Sequence, residues 1–218
     1  MIEHDGSAQG TARRRRMIVG ITGATGTVIG IGLLRALAEL DVETHLILSR
    51  WGKATMAMET AYHVRDVTAL ADHVYESDDM AAAISSGSFR VDAMIVAPCS
   101  MKTLAAIRAG FGGDLMSRAA DVTLKERRPL VLVARETPLS SIHLENMLAL
   151  SRAGVTIMPP VPAFYTRPAT VQDIVDNTVA RVLDQVGLHL PDTPRWVGPP
   201  ELSTTMPHLA ERETHGSH

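Results

Sequence analysis

Apolar residues along this chain follow two alternating rhythms. Short, nearly continuous apolar runs at residues 17–22, 43–48, 93–97, 130–133 and 155–158 have the length of buried strands. Between them, residues 27–40, 53–60, 101–109, 114–125, 142–153 and 171–186 carry apolar positions at helical spacing, as at Val28, Ile31, Leu34 and Leu37. A further short helix is predicted over 79–85. Pro98 stops one strand, and Pro159 and Pro160 stop the last. Ser100 is placed to cap one helix, Ser140 or Ser141 another, and Gly154 to end it. This alternation predicts an α/β fold: a doubly wound parallel sheet, Rossmann/flavodoxin-like, in three layers. Ligands of such sheets sit beyond the carboxyl ends of the strands. That rule selects residues 22–27, 49–53, 98–103, 134–141 and 159–168 as the places to look for chemistry.

Composition narrows the class. With 218 residues, 45% of them hydrophobic and 21% charged, the chain suits one globular domain with a sizeable core. A formal net charge of −3 gives no reason to expect nucleic acid or an acidic membrane as partner. A single cysteine, Cys99, excludes an intrachain disulfide and a multi-cysteine metal site, and fits a reduced, cytoplasmic setting. No apolar run approaches the roughly 18 residues of a membrane span. Residues 1–16 are polar and end in Arg13–Arg16, which reads as a disordered leader, a solvated tail rather than a nucleic-acid arm. Gly20, Gly23 and Gly26 interrupt the apolar stretch that follows, so it is not the core of a signal peptide. The folded domain is expected over 17–198, with 199–218 a flexible tail.

The first predicted strand leads into Gly23-Ala24-Thr25-Gly26 and then a helix. Small residues let backbone approach a phosphate, and a helix N-terminus offers free N–H groups with partial positive charge. Thr22 and Thr25 add hydroxyls. The spacing is neither the dinucleotide fingerprint nor Walker A, so a mononucleotide is the expectation, with a ligand-free tight turn as the alternative. Ser49, Ser100 and the Ser85-Ser86-Gly87-Ser88-Phe89 loop are further polar candidates; Ser49 could equally be a helix cap. Arg118 and Lys125, seven residues apart on one predicted helix, and Arg135-Glu136 after a buried strand, bring cations suited to a phosphate dianion. Glu136 among them could carry a proton. A salt-bridged surface network is the competing reading of the same residues. Tyr165 in a proline-rich loop, Arg181 on the last helix and Trp196 could wall a pocket. Cys99 reads as a buried small hydrophobe, since no histidine is near it in sequence. No metal-binding motif is visible among the nine scattered histidines, so no metal ligands are assigned.

Several blocks, in order, resemble the UbiX-like flavin prenyltransferases. They are Gly23-Ala24-Thr25-Gly26, the run from Pro98 to Leu104, Arg118-Ala119-Ala120-Asp121-Val122, Leu124-Lys125-Glu126-Arg127-Arg128, Arg135-Glu136, and the run from Ile142 to Leu148. The likeness spans roughly 17–197, and the stretches 43–51 and 85–90 look closest to the branch that forms the B components of hydroxyarylic acid decarboxylases. Departures from the family pattern are Thr25 for Ser, Ile29 for an aromatic ring, Gly113 and Ser117 before Arg118, and Ala134 for Pro.

The resemblance implies a metal-independent transferase that joins dimethylallyl phosphate to reduced FMN. It implies prenylated FMN as product, for use by a UbiD-like decarboxylase, and a homo-oligomer, a dodecamer, with sites at subunit interfaces. It places Gly23, Ala24, Thr25, Ser49, Ser100 and Arg118 at the flavin, and Lys125, Arg135, Tyr165 and Arg181 at the isoprenoid phosphate. It makes Glu136 the catalytic proton carrier and Trp196 a wall of the prenyl pocket. Two other readings compete: a flavin-dependent cysteine decarboxylase-like enzyme, and a non-catalytic FMN-binding accessory subunit of an aromatic acid decarboxylase.

Overall fold

A computed structural model describes residues 13–191 and 193–198. In chain order the elements are β1 (Arg16–Ile21), α1 (Thr27–Glu39), β2 (Glu43–Leu48), α2 (Arg50–Glu59), α3 (Val64–Thr68), β3 (His73–Tyr75), β4 (Ala93–Cys99), α4 (Met101–Ala109), α5 (Leu115–Lys125), β5 (Leu130–Ala134), α6 (Ser141–Arg152), β6 (Thr156–Ile157) and α7 (Val171–Asp184). The sheet has the order β3-β2-β1-β4-β5-β6, and every neighbouring pair is parallel. This is the doubly wound arrangement predicted, with the order reversing between β1 and β4.

Alternation along β1 divides the core. Met17, Val19 and Ile21 join the layer containing α1 and α7, while Ile18 joins the layer containing α4 and α5. Both faces are therefore covered, which is why every residue of β4 is buried and the strands read as continuous apolar runs. Gly30 lets α1 lie against β4: a Cβ there would overlap the Ala97 carbonyl oxygen.

The structure departs from the sequence reading in four places. The helix expected from residue 53 begins at Arg50, because Ser49 Oγ accepts from the Gly52 amide at 3.0 Å and caps it. The helix expected over 79–85 is reduced to a single 3-10 turn, Ala83–Ser85; the Asp79 carboxylate takes the Ala81 amide at 3.2 Å and holds a turn instead. Helix α3 and strand β3, five and three residues long, carried no periodic signal. Finally, Arg13–Arg16 do not belong to a loose leader. Arg13 pairs with Asp92 at 2.8 Å and Arg14 with Asp41 at 2.9 Å; Arg15 donates to the Val186 carbonyl at 2.7 Å, and Arg16 lies in β1 and pairs with Glu43 at 2.9 Å. Carboxylates and helix-end carbonyls at the edge where β1 enters the sheet take up the whole basic run. The remaining leader, 1–12, and the tail, 199–218, lie outside the described residues. Among the described residues no helix is long and apolar enough to cross a membrane.

Candidate functional site

The order reversal places the loops after β1 and β4 side by side, and Thr22 staples them. Its hydroxyl donates to the Pro98 carbonyl at 2.8 Å and accepts from the Ser100 amide at 2.8 Å, while its own amide bonds Pro98 at 3.2 Å. Thr22 is 2% exposed. It is therefore a structural clamp, not the free hydroxyl expected from sequence. Trp51 covers Gly23, where a Cβ would overlap the Trp51 side chain. Gly26 takes φ +99° as α1 begins, a conformation that favours glycine. Ser49 and Ser100 both cap helices; Ser100 Oγ accepts from the Thr103 amide at 3.3 Å. A capping hydroxyl accepts with its oxygen, so the Ser49 proton stays available to a ligand.

The N-terminus of α1, expected to receive a phosphate, is held by a side chain the sequence reading missed. The Glu59 carboxylate accepts from the Gly26 amide at 3.0 Å, the Thr27 amide at 3.1 Å and the Thr27 hydroxyl at 2.9 Å. Burial pushes this carboxyl upward, but hydrogen bonds from the Thr25 and Thr27 hydroxyls and the two amides outweigh it and hold the group below the usual range. Glu59 ends a helix with no motif around it; the one sequence signal was a lone carboxylate closing the apolar segment Met56-Ala57-Met58.

Arg135 and Glu136 follow β5 at the same end of the sheet. The Arg135 amide bonds the Cys99 carbonyl at 3.1 Å, which ties this loop to the end of β4. Glu136 is exposed, one carboxylate oxygen accepting from the Thr137 amide at 2.9 Å. Cys99 is buried beneath these loops, and burial pushes its thiol up to about 12, so it offers no thiolate nucleophile.

Tyr165, Arg181 and Trp196 do come together, with Asn177 and Arg195, in a cleft of about 530 Å³ beyond β6. The Tyr165 and Trp196 rings meet edge to face at 5.5 Å. Asp184, 8% exposed at its side chain, organises the cations: it accepts from Arg181 at 2.6 Å, from His189 at 2.6 Å, and from both terminal nitrogens of Arg195 at 3.0 and 2.9 Å. The Arg195 hydrogen bond, with His189 and the nearby Arg181 charge, overcomes burial and holds the Asp184 carboxyl at about 2. Asn177 Nδ2 is buried in this wall without a partner among the described residues. Asp184, Asn177 and Arg195 were not singled out from sequence.

Arg118 and Lys125 lie elsewhere. Arg118 Nε donates to the Ser85 carbonyl at 3.1 Å and its guanidinium pairs with Asp121 at 2.9 Å. Lys125 Nζ is 3.8 Å from Glu126. Helix α5 runs against the strand direction, so Lys125 lies by the start of β5 and Arg135 just past its end, a strand length of roughly 16 Å apart along the sheet. The expected gathering of Lys125, Arg135 and Arg181 is thus not made within one copy: chain topology sends them to three surfaces.

A family model described as Flavoprotein matches residues 5–183. A probable UbiX-like flavin prenyltransferase of Escherichia coli is 63% identical over 187 residues, covering 85% of this chain and 95% of the relative. The chain belongs to the UbiX-like flavin prenyltransferases. Solved members of this family carry the same fold. AnUbiX (PadA1), crystallised in complex with FMN and dimethylallyl pyrophosphate, superposes with a TM-score of 0.85 at 60% identity, over 86% of this chain and all of the other (100%). A dodecameric FMN-dependent UbiX-like decarboxylase from Escherichia coli O157:H7 gives 0.83 at 63%, over 84% and 100%. By contrast, the FMN-dependent cysteine decarboxylase TvaF shares only the architecture, at 14% identity and a TM-score of 0.58. The prenyltransferase family, not the cysteine decarboxylases, is where this UbiX-like chain sits.

Proposed function

We propose that this flavin prenyltransferase joins a dimethylallyl group to reduced FMN at the loops that leave the carboxyl end of its sheet. The observation that carries the reading is the common address of Gly23, Ala24, Thr25, Ser49, Ser100, Arg135 and Glu136: loops after β1, β2, β4 and β5, around the point where strand order reverses. The flavin supplies the nucleophile, and the product is prenylated FMN. Hydroxyls of Thr25, Ser49 and Ser100, with the Gly23–Ala24 backbone, hold the flavin. As the allylic C–O bond breaks, positive charge develops on the isoprenoid and negative charge on the phosphate. Arg135, with Lys125, Arg181 and Tyr165, stabilises the departing anion. Trp196 and the neighbouring apolar walls tolerate the allyl cation and exclude water. Glu136, exposed and ion-paired with no cation among the described residues, takes or gives a proton. Glu59, hydrogen-bonded to Thr25, is a second proton carrier in this scheme. No metal is required by this scheme.

Separation of the three surfaces within one copy makes the assembly part of the reading: Lys125 and Arg118 of one copy complete the site of another. The dodecameric Escherichia coli O157:H7 relative supports such an arrangement. We further propose the cytoplasm as the setting, residues 13–198 as the folded unit, and a UbiD-like decarboxylase as the recipient of the product.

Incubation with reduced FMN and either dimethylallyl phosphate or dimethylallyl pyrophosphate, followed by mass spectrometry of the extracted flavin, tests this. One added isoprenoid unit with release of the matching phosphate is the expected result, and the two arms identify the donor. Flavin recovered unchanged from a protein that binds it with both donors would make the chain an accessory protein instead.

A further inference from the structure

We propose that Glu43, His45 and His73 form a zinc site at the end of the sheet opposite the flavin loops. Glu43 and His45 are two residues apart on β2 and so share a face. His73 pairs with His45 across the parallel β2–β3 ladder and presents its ring beside it, centroids 4.6 Å apart. Strand geometry thus brings His73 beside a pair that lies 28 and 30 positions before it, and that is why no motif announced the three.

The separations match a coordination polyhedron. Glu43 Oε1 is 3.1 Å from His45 Nε2 and 3.5 Å from His73 Nε2, and the three donor atoms all lie within 4.8 Å of one another. Tetrahedral zinc, with bonds of about 2.0–2.1 Å, sets its ligand atoms about 3.3 Å apart. The outer contacts fit as well. His45 Nδ1 is 2.9 Å from the Tyr75 hydroxyl, a partner able to accept the Nδ1 proton in the tautomer whose Nε2 lone pair is free for the metal. Glu43 Oε2 accepts from Arg16 Nε at 2.9 Å, so the guanidinium occupies the far oxygen and leaves Oε1 to the metal. Arg16 is itself fixed over the Phe89 ring at 4.9 Å. His45 is 1% exposed, which favours a neutral imidazole, while His73 is half exposed and gives an ion a path from solvent and room for a water as fourth ligand. Two imidazoles with one carboxylate select zinc over magnesium or calcium.

A metal here would clip β3, an edge strand of three residues, onto β2 and, through Arg16, onto β1. The site lies at the amino ends of the strands, so it acts on the fold and not on the transfer chemistry. The experiment separates the metal-bound state from the metal-free one.

The full chain, stripped with a chelator, is titrated with Co²⁺ under visible spectroscopy and with Zn²⁺ under thermal melting. One equivalent of Co²⁺ per chain is expected to give the intense bands of a four-coordinate site; Zn²⁺ displaces them and raises the Tm by several degrees. His73→Ala, a change at a half-exposed position, removes the bands, the Tm shift and at least tenfold in affinity; His73→Gln does the same with the side-chain volume retained. Absence of bands and of a Tm rise in the parent chain overturns the proposal. So does metal binding that survives both substitutions unchanged, since the ion would then be held by other histidines.

Discussion

Glu59 reaches from the last residue of α2 to the first residue of α1, where its carboxylate accepts from the Thr27 amide at 3.1 Å and the Thr27 hydroxyl at 2.9 Å. The contact caps α1 and at the same time places an ionised acid next to Thr25 in the loop after β1. The two roles separate by substitution. Glu59→Ala removes the cap and is expected to cost about 1 kcal/mol in denaturant unfolding. Glu59→Gln keeps most of the hydrogen bonding, stays within a few tenths of a kcal/mol of the parent, and still lowers kcat about tenfold or more because it cannot carry a proton. Equal turnover in Glu59→Gln and the parent would leave the residue a cap and nothing else.

Glu136 is another acid at this end of the sheet, and its one side-chain hydrogen bond among the described residues is from the neighbouring Thr137 amide. Glu136→Gln should therefore leave unfolding and FMN binding unchanged while slowing turnover by about 100-fold, the ordinary range for removing a general acid–base. Stopped-flow flavin absorbance reports FMN binding and turnover in one experiment, and a denaturant melt reports the unfolding. Parent-like turnover removes Glu136 from the mechanism.

Asp184 holds Arg181 and Arg195 against the edge cleft, and its own carboxyl titrates at about 2 instead of 3.8. A depressed carboxyl stabilises the fold above its unfolded value and loses that contribution as pH falls through the folded one. The gain here is at most about 2 kcal/mol near neutrality. Asp184→Asn is thus expected to be less stable than the parent by up to that amount at pH ~7, with the gap closing as pH drops from ~4 toward ~2. Denaturant melts at several pH values measure it; a gap that widens on acidification contradicts the assignment. Freed arginines should also raise KM for the prenyl donor more than they lower kcat.

Much of this was legible before the structure. The alternating apolar rhythms gave the sheet and six of the seven helices, because strands buried on both faces and helices with a single apolar stripe leave distinct periods. Helix α3 and strand β3 were too short to show one. The edge cleft was anticipated through Tyr165, Arg181 and Trp196, whereas Asp184, which holds its cations, is one acid among many in sequence and stands out only by its buried contacts. Where Lys125 sits within one copy was not legible for a different reason. Charge and spacing say that it suits a phosphate, but which end of the sheet it occupies depends on the direction of α5.

Cys99 lies at the end of β4, beneath the loops at the carboxyl end of the sheet, with its thiol pushed up to about 12 by burial. A thiol-reactive dye should leave the native chain unlabelled at pH ~8 and label it fully once unfolded, since the thiolate fraction and the access are both negligible in the fold. Rapid native labelling would show that the loops around Ser100 open far more than their hydrogen bonds suggest.

Lys125 and Glu136 offer the sharpest test of a site shared between copies. Each substitution alone, Lys125→Ala or Glu136→Gln, is expected to depress turnover: the first removes charge from the phosphate, the second a proton carrier. When both residues of a site come from one chain, every site in a mixed assembly contains one defect or the other, and mixing restores nothing. When Lys125 comes from a neighbour, some sites in a mixed assembly receive the intact lysine from a Glu136→Gln chain and the intact glutamate from a Lys125→Ala chain. With equal amounts of the two variants and random assembly, about a quarter of such sites are whole. Co-expressed variants should then recover up to about a quarter of parental turnover, far above either alone. Recovery no higher than the single variants places Lys125 and Glu136 of one site in the same chain and overturns the shared arrangement; parent-like turnover of Lys125→Ala alone would place Lys125 outside the site.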